Sequence, residues 1–163
     1  MVDKNDYFVL SDGSNVSSVI VKVINKSNNP LPQYKTTGAA GMDIMAYIPD
    51  GDYTIIKPQE TKLILTGLFI ALPTGWEAQV RSRSGLAAMD NVFVLNSPGT
   101  IDSDYRGEIK VILTNLGTED FIIHSGDRIA QLVLNRVTKI MFNEVTNLDN
   151  TERGDGGFGS TGV

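Results

Sequence analysis

The chain has 163 residues, a formal net charge of −5 and no cysteine, with 41% hydrophobic and 20% charged residues. This length and composition suit one folded domain with a single core and exclude a disordered or fibrous chain. The negative charge disfavours duplex nucleic acid and anionic membranes as partners, and the lack of cysteine excludes disulfides, thiolate metal sites and a cysteine nucleophile.

The N-terminal sequence MVDKNDYFVL has no basic region followed by an apolar stretch. No run in the chain reaches the ~18 apolar residues of a membrane span. We therefore expect a soluble, cytoplasmic protein with no membrane or nucleic-acid partner. Residues 1–15 are polar and turn-rich, which predicts a mobile N-terminal extension.

Short runs rich in Val, Ile and Leu follow, and they predict β-strands. Ile109, Val111 and Leu113 lie two residues apart, which is the period of a strand with one face more buried than the other. Helical periodicity is sustained nowhere, and the best helix candidate is the stretch 84–90, with Ser84 near its N-cap. The predicted strands are the runs 19–24, 62–72, 92–95, 109–113 and 129–137.

Turn sequences rich in Pro, Gly, Asn and Asp separate these runs at short intervals. Many short strands with frequent turns predict an all-β sandwich or barrel, here a jelly-roll-like one, with at most one short helix. No internal repeat or interdomain linker is present. The tail from residue 147 is again polar and turn-rich, and we expect it to be mobile.

The end of the tail, from residue 151, reads TERGDGGFGSTGV. Its glycines match the dinucleotide fingerprint and the start of a P-loop, but both motifs must open a helix, and only four residues follow Gly159. A flexible arm with Arg153, Phe158 and two hydroxyls can instead wrap phosphate oxygens and cover a planar base. The alternative is a disordered, solubilising tail.

The segment RSRSG, residues 81–85, predicts a phosphate site. A strand over 77–80 runs into two arginines, two hydroxyls and a glycine just before the candidate helix. Amides at a helix N-terminus and forked guanidinium groups both favour phosphate oxygens. Ion pairs between Arg81 or Arg83 and surface carboxylates are the structural alternative.

The segment NSPGTIDSDYRGEIK, residues 96–110, places Asp102, Asp104 and Tyr105 after a tight turn. A carboxylate held between strands can orient and deprotonate a water molecule, and a tyrosine can pack on a sugar ring. An Asp-x-Asp in a loop is also an ordinary turn former, so this segment alone only suggests a site.

Three further features carry less information. GDRIAQ, residues 126–131, starts a strand through a turn, and its glycine and aspartate are also common in turns that have no function. Asp43 suits a magnesium site only in part, because Mg²⁺ keeps several waters and relies on substrate phosphates. His124 is the only histidine, and its place on an apolar run favours a structural role.

In chain order, these segments resemble the five motifs of the homotrimeric dUTPase family, over about residues 20–163. The third and fifth motifs are the most specific. The matching segments are AAGMD (39–43), RSRSGLA (81–87), LNSPGTIDSDYRGE (95–108), GDRIAQL (126–132) and RGDGGFGSTG (153–162).

The resemblance implies a distorted jelly-roll or β-clip-like domain that forms a homotrimer with active sites at the subunit interfaces. The single domain, residues 1–163, would comprise the extension 1–15, a β core over 16–146 and a flexible C-terminal arm over 147–163. Each arm would close an active site of another chain.

The activity implied is hydrolysis of dUTP to dUMP and pyrophosphate with Mg²⁺ as cofactor. Such an enzyme keeps uracil out of DNA and supplies dUMP for dTMP synthesis. Asp102 would be the catalytic base that activates water for attack on the α-phosphorus. Tyr105 would pack beneath the deoxyribose and leave no room for a ribose 2′-hydroxyl.

The resemblance also assigns the other residues to four groups. The nucleoside pocket would be lined by Asn96, Thr100, Ile101 and Lys110. The phosphates would be held by Arg83, Ser84, Gly85 and Gln131. The metal would be met by Asp43 through water and otherwise by the substrate phosphates. The arm would close over the substrate with Arg153, Phe158, Gly159, Ser160 and Thr161.

Departures from the family pattern are small. Met45 stands where many relatives carry arginine, which would weaken a subunit contact, and Ser82 replaces a common proline. Met89 replaces a common lysine, and Asn91 replaces a common glycine but tolerates the left-handed conformation.

Three other functions compete with this one. A dCTP deaminase on a related fold would have a different third motif with a catalytic glutamate. A non-enzymatic nucleotide sensor would not need Asp102, Tyr105 and the arm together, and a structural jelly roll would have no use for the tail.

Overall fold

The computed structural model describes residues 7–9 and 15–157. Residues 1–6, 10–14 and 158–163 lie outside the described residues, and with them the predicted arm residues Phe158, Gly159, Ser160 and Thr161.

Antiparallel strands are the main regular secondary structure of the described chain, and they form two sheets of four strands and two pairs. The first large sheet contains, in spatial order, β3 (Lys22–Asn25), β6 (Thr61–Ala71), β10 (Glu108–Asn115) and β8 (Val92–Val94). The second contains β4 (Gly41–Met45), β12 (Arg128–Arg136), β7 (Trp76–Arg81) and β9 (Gly99–Ile101). The pairs are β1 (Tyr7–Val9) with β2 (Asn15–Ser17), and β5 (Tyr53–Ile56) with β11 (Phe121–His124).

The two large sheets share one hydrophobic core. On β10, Ile109, Val111 and Leu113 are buried while Lys110 is exposed, as the two-residue period predicts. Burial of each such aliphatic side chain contributes about 1.5–3 kcal/mol. The all-β, jelly-roll-like fold predicted from the sequence is thereby confirmed.

All five predicted runs contain strands. In the first run, predicted over 19–24, the strand is β3, which begins at Lys22. Val21 packs against the core without joining the strand ladder. The N-terminal extension, for which no strand was predicted, contains β1 and the first residue of β2, and residue 8 lies opposite residue 16.

The predicted short helix is present as Leu86–Asp90, a π-helical turn. Its N-cap is Gly85, next to Ser84, which was predicted to lie near the cap. It ends at Asn91, which adopts the expected left-handed conformation with φ of 54° and donates its N–H to the Leu86 carbonyl. No helix in the part of the chain that the structure describes has the length and apolarity needed to cross a membrane.

Candidate active site

A polar row crosses the outer face of the second large sheet. On the central strand β12, Gln131 lies opposite Asp43 of β4 on one side and opposite Arg81 of β7 on the other. Directly opposed residues of antiparallel strands point to the same face, so these three side chains are neighbours. The sheet therefore places the predicted phosphate residue Gln131 beside the predicted metal residue Asp43.

Asp43 holds two arginines. Its Oδ1 accepts from Arg83 Nε over 3.2 Å, and its Oδ2 accepts from Arg128 Nη1 over 3.3 Å. Arg83 Nη1 also donates to the Arg128 carbonyl oxygen over 2.7 Å. Because only 13% of the Asp43 side chain is exposed, the carboxylate is a fixed anchor for two cations. We call Asp43, Arg83 and Arg128 the arginine cluster, and its net positive charge suits a phosphate.

The two arginines of the RSRSG segment have different partners. Arg81 donates through Nε and Nη2 to Gln79 Oε1, whereas Arg83 pairs with Asp43. Ser84 and Gly85 follow Arg83 and are exposed at the start of the short helix. Both are accessible to an anion that approaches Arg83.

Ser82 ties this segment to the loop before β9. Its hydroxyl accepts the Val94 amide over 3.0 Å, and its own amide donates to Ser97 Oγ over 3.3 Å. A proline here would have no amide for the second bond, so the departure at Ser82 adds a contact. The Ser97–Pro98 peptide bond is cis.

A cavity of about 280 Å³ lies where β9, β10 and β6 meet. Five of the predicted site residues line this cavity, together with three residues that were not predicted. The predicted ones are Thr100, Ile101, Asp102, Tyr105 and Lys110, and the others are Leu63, Glu108 and Ile109.

Asp102 and Tyr105 stand at the exposed side of this cavity. Within the described residues, the Asp102 carboxylate forms no salt bridge, so its oxygens are available to a water molecule. Tyr105 donates its amide to the Asp102 carbonyl over 3.2 Å and its hydroxyl to the Glu108 carbonyl over 3.0 Å. The turn therefore fixes the tyrosine ring next to the carboxylate.

Two predicted site residues lie elsewhere. Asn96 does not line the cavity, and its amide nitrogen packs against Gly99, where an added Cβ would approach it to 2.9 Å. Arg153 folds back on its own segment and donates to the Gly156 carbonyl over 2.8 Å. Arg128 of the arginine cluster and Glu108 of the cavity were not predicted as site residues. A charged residue at a strand end is common, so the sequence offered little reason to single them out.

The described part of the chain has no set of three His, Cys, Asp or Glu side chains that could coordinate Mg²⁺ together. Both Asp43 oxygens contact arginines. Such a donor set fits Mg²⁺ only if the phosphates and water supply most of its six oxygen ligands, which is how this ion is usually bound.

A guanidinium cluster on one sheet of an all-β sandwich, with a small cavity at the sheet edge, suits a protein that binds a phosphorylated small molecule. The family comparison is more specific. The dUTPase family model matches residues 27–162, and the chain belongs to this family.

Individual relatives agree with that assignment. The deoxyuridine 5′-triphosphate nucleotidohydrolase of Finegoldia magna is 54% identical over 142 residues, which cover 87% of this chain and 98% of that protein. Among solved structures, a mutant dUTPase of Staphylococcus bacteriophage 80alpha with dUpNHpp has a TM-score of 0.78 at 24% identity, and covers 88% of this chain and 99% of that one.

A second structure, a mutant dUTPase from phage phi11 of S. aureus that coordinates a structural Mg(II) ion, has a TM-score of 0.71 at 20% identity. It covers 81% of this chain and 100% of that one. At these identities, the two structures establish the shared fold.

Proposed function

We propose that this chain hydrolyses dUTP to dUMP and pyrophosphate with Mg²⁺, which would make it a dUTP diphosphatase. The observation that carries the proposal is the cavity, because it gathers Thr100, Asp102, Tyr105 and Lys110 around one space of about 280 Å³. Family membership and the nucleotidohydrolase activity named for the Finegoldia magna relative support the same reaction.

Asp102 is the proposed catalytic base. Its carboxylate takes a proton from water while the water oxygen bonds to the α-phosphorus. The bond between that phosphorus and the bridging oxygen of the β-phosphate breaks, and pyrophosphate leaves. The exposed position of Asp102 at the cavity supports this role, since the water must be reached from the substrate side.

The arginine cluster is the proposed site of the phosphate chain, with Ser84, Gly85 and Gln131 beside it. Arg83 is already oriented by Asp43, so it can meet phosphate oxygens without first being ordered. When bound, Mg²⁺ would neutralise phosphate charge and improve the leaving group. Asp43 would reach that ion only through water.

The nucleoside would occupy the cavity. Tyr105 would pack against the deoxyribose, and main-chain groups near Asn96, Thr100 and Ile101 would read the uracil edge, with Lys110 beyond. The arm residues Arg153, Phe158, Gly159, Ser160 and Thr161 would close over the γ-phosphate and the ring.

A homotrimer with shared sites is part of the proposal. In one chain, the cavity and the arginine cluster have no lining residue in common. A second chain could bring a cluster to each cavity. The segment after β12 also exposes large apolar side chains, among them Met141 and Phe142 at 93% each, which suits contact with another chain.

The proposed cellular role is to keep uracil out of DNA and to supply dUMP for dTMP synthesis, in the cytoplasm. The test is pyrophosphate release from dUTP, dTTP, dCTP and UTP by the purified chain, with Mg²⁺ and with excess chelator. We expect rapid release from dUTP alone, and only with Mg²⁺. Ammonia from dCTP would identify a deaminase, and binding without turnover would identify a nucleotide sensor.

A further inference from the structure

An irregularity interrupts the pairing of β6 with β10 beside the cavity. Glu108 lies opposite Phe69 and Lys110 lies opposite Leu65. An advance of two residues along β10 is therefore matched by four residues along β6. Gly67, inside this bulge, has a φ of 70°. The amides of the bulged residues leave the regular ladder and need another acceptor.

Glu108 supplies that acceptor. Its Oε1 accepts the Gly67 amide over 2.8 Å and the Thr66 amide over 3.2 Å. Thr66 in turn donates its hydroxyl to the Ile109 carbonyl over 2.6 Å. A carboxylate that accepts two backbone amides forms a strong and well-oriented contact, so the start of β10 is fixed to the bulge of β6.

The same residue also holds Tyr105. The tyrosine hydroxyl donates to the Glu108 carbonyl oxygen, and Gly107 lies so close beneath the phenol that an added Cβ would overlap it. Glu108 therefore contacts Tyr105 through its backbone and β6 through its side chain. Tyr105, Glu108 and Leu63 of β6 are all walls of the cavity.

We propose that Glu108 is a positioning residue that sets the preference for deoxyribose over ribose by fixing Tyr105 relative to β6. The proposal rests on the proposed dUTP hydrolysis. Without the carboxylate, the Thr66 and Gly67 amides lose their acceptor and the Tyr105 turn is no longer fixed to the bulge. The cavity then accommodates a 2′-hydroxyl that the fixed ring excludes.

The test compares kcat and KM for dUTP and UTP in the wild type, Glu108→Ala and Glu108→Gln. We expect Glu108→Ala to lower the dUTP-to-UTP ratio of kcat/KM by on the order of tenfold, chiefly through a lower KM for UTP. Glu108→Gln keeps an acceptor oxygen and should stay within about threefold of the wild type. Mere loss of stability lowers the active fraction equally for both substrates and leaves this ratio unchanged.

A matched control is Glu60→Ala. The Glu60 carboxylate also accepts a backbone amide, that of Lys57 over 2.8 Å, but Glu60 does not line the cavity. The dUTP-to-UTP ratio of kcat/KM in this variant should equal that of the wild type. If Glu108→Ala does not fold, Tyr105→Phe, which removes the hydroxyl bond to Glu108, should show the loss of selectivity.

An unchanged ratio in folded Glu108→Ala, or in Tyr105→Phe where the first variant does not fold, overturns the inference. Failure of the wild type to release pyrophosphate from dUTP overturns the proposed function instead. Binding of dUMP and UMP at equilibrium would then provide the selectivity ratio for the same variants.

Discussion

Arg83 donates through Nε to Asp43 Oδ1 over 3.2 Å, although the strands that carry these residues are not neighbours. Asp43 lies on β4, Arg83 follows β7, and β12 runs between the two strands. The arginine thus reaches across a whole strand to a largely buried carboxylate. This contact and the Nη1 bond to the Arg128 carbonyl fix the guanidinium, and Nη2, which has no partner among the described residues, can meet an anion.

Asp43→Asn should raise the KM for dUTP by on the order of tenfold with a smaller change in kcat, because both arginines lose their charged anchor. Steady-state kinetics over a range of Mg²⁺ concentrations checks this expectation. Asp120→Asn, an exposed aspartate that lines neither the cavity nor the arginine cluster, should leave KM unchanged. An unchanged KM with a higher Mg²⁺ requirement would place Asp43 in the metal shell instead.

Asp102→Asn should lower kcat by about 10²- to 10⁴-fold, since the amide cannot accept the proton from water. Affinity for a non-hydrolysable dUTP analogue, measured by calorimetry, should stay within about threefold because the amide has nearly the same shape. Asp104→Asn is the matched control, as Asp104 is exposed and does not line the cavity. Near-normal turnover of Asp102→Asn would contradict the base assignment.

Deletion of residues 154–163 should lower kcat/KM by at least about 10²-fold without lowering the melting temperature, as expected for a segment that closes a site. Thermal unfolding checks the second half of this expectation, which follows from the structure because Gly154 hydrogen-bonds only to nearby Thr151 among the described residues. Deletion of residue 163 alone, which lies outside the fifth motif, is the control. An unchanged rate in the longer deletion would show that the segment does not close the site.

Four of the predicted site residues line one cavity because they are close in the chain. Thr100, Asp102, Tyr105 and Lys110 belong to one strand, turn and strand, so local geometry alone brings them together. The jelly-roll-like fold was likewise predictable from short apolar runs and frequent turns. The roles of these residues remain predictions for the experiments above.

The arginine cluster could not be predicted in the same way. Asp43, Arg83 and Arg128 meet only because β12 pairs with both β4 and β7 in a particular register, and strand order is not readable from hydrophobic periodicity. The sequence left phosphate binding and ion pairing as alternatives for Arg81 and Arg83. The short strands β5 and β11 were missed because so few residues establish no period.

The bulge at Gly67 should be sensitive to a single methyl group. An added Cβ would lie 2.7 Å from the Ser27 amide nitrogen, and the backbone φ of 70° disfavours a side chain. Gly67→Ala should therefore lower the free energy of unfolding by about 3 kcal/mol or more. Gly75→Ala is the control, since φ is 87° there but no atom lies within 4 Å, and it should cost about 1 kcal/mol. Denaturant unfolding measures both, and equal losses would show that steric overlap at Gly67 is relieved.

Glu60 should contribute to the stability of the fold in a way that depends on pH. The Lys57 amide, which donates to this carboxylate over 2.8 Å, and to a lesser extent the charge of Lys62, hold the pKa of Glu60 below its ordinary value of 4.5. A pKa lowered by folding contributes stability above the unfolded value, and this contribution is lost as the pH falls through the folded value. The melting temperature of Glu60→Gln should therefore lie below that of the wild type at neutral pH, and the difference should shrink below pH 4.5. Because the hydrogen bond from the Lys57 amide is the larger cause, the difference should persist in 1 M salt, where the screening length of about 3 Å weakens the attraction of Lys62. A difference that vanishes in salt would assign the effect to Lys62.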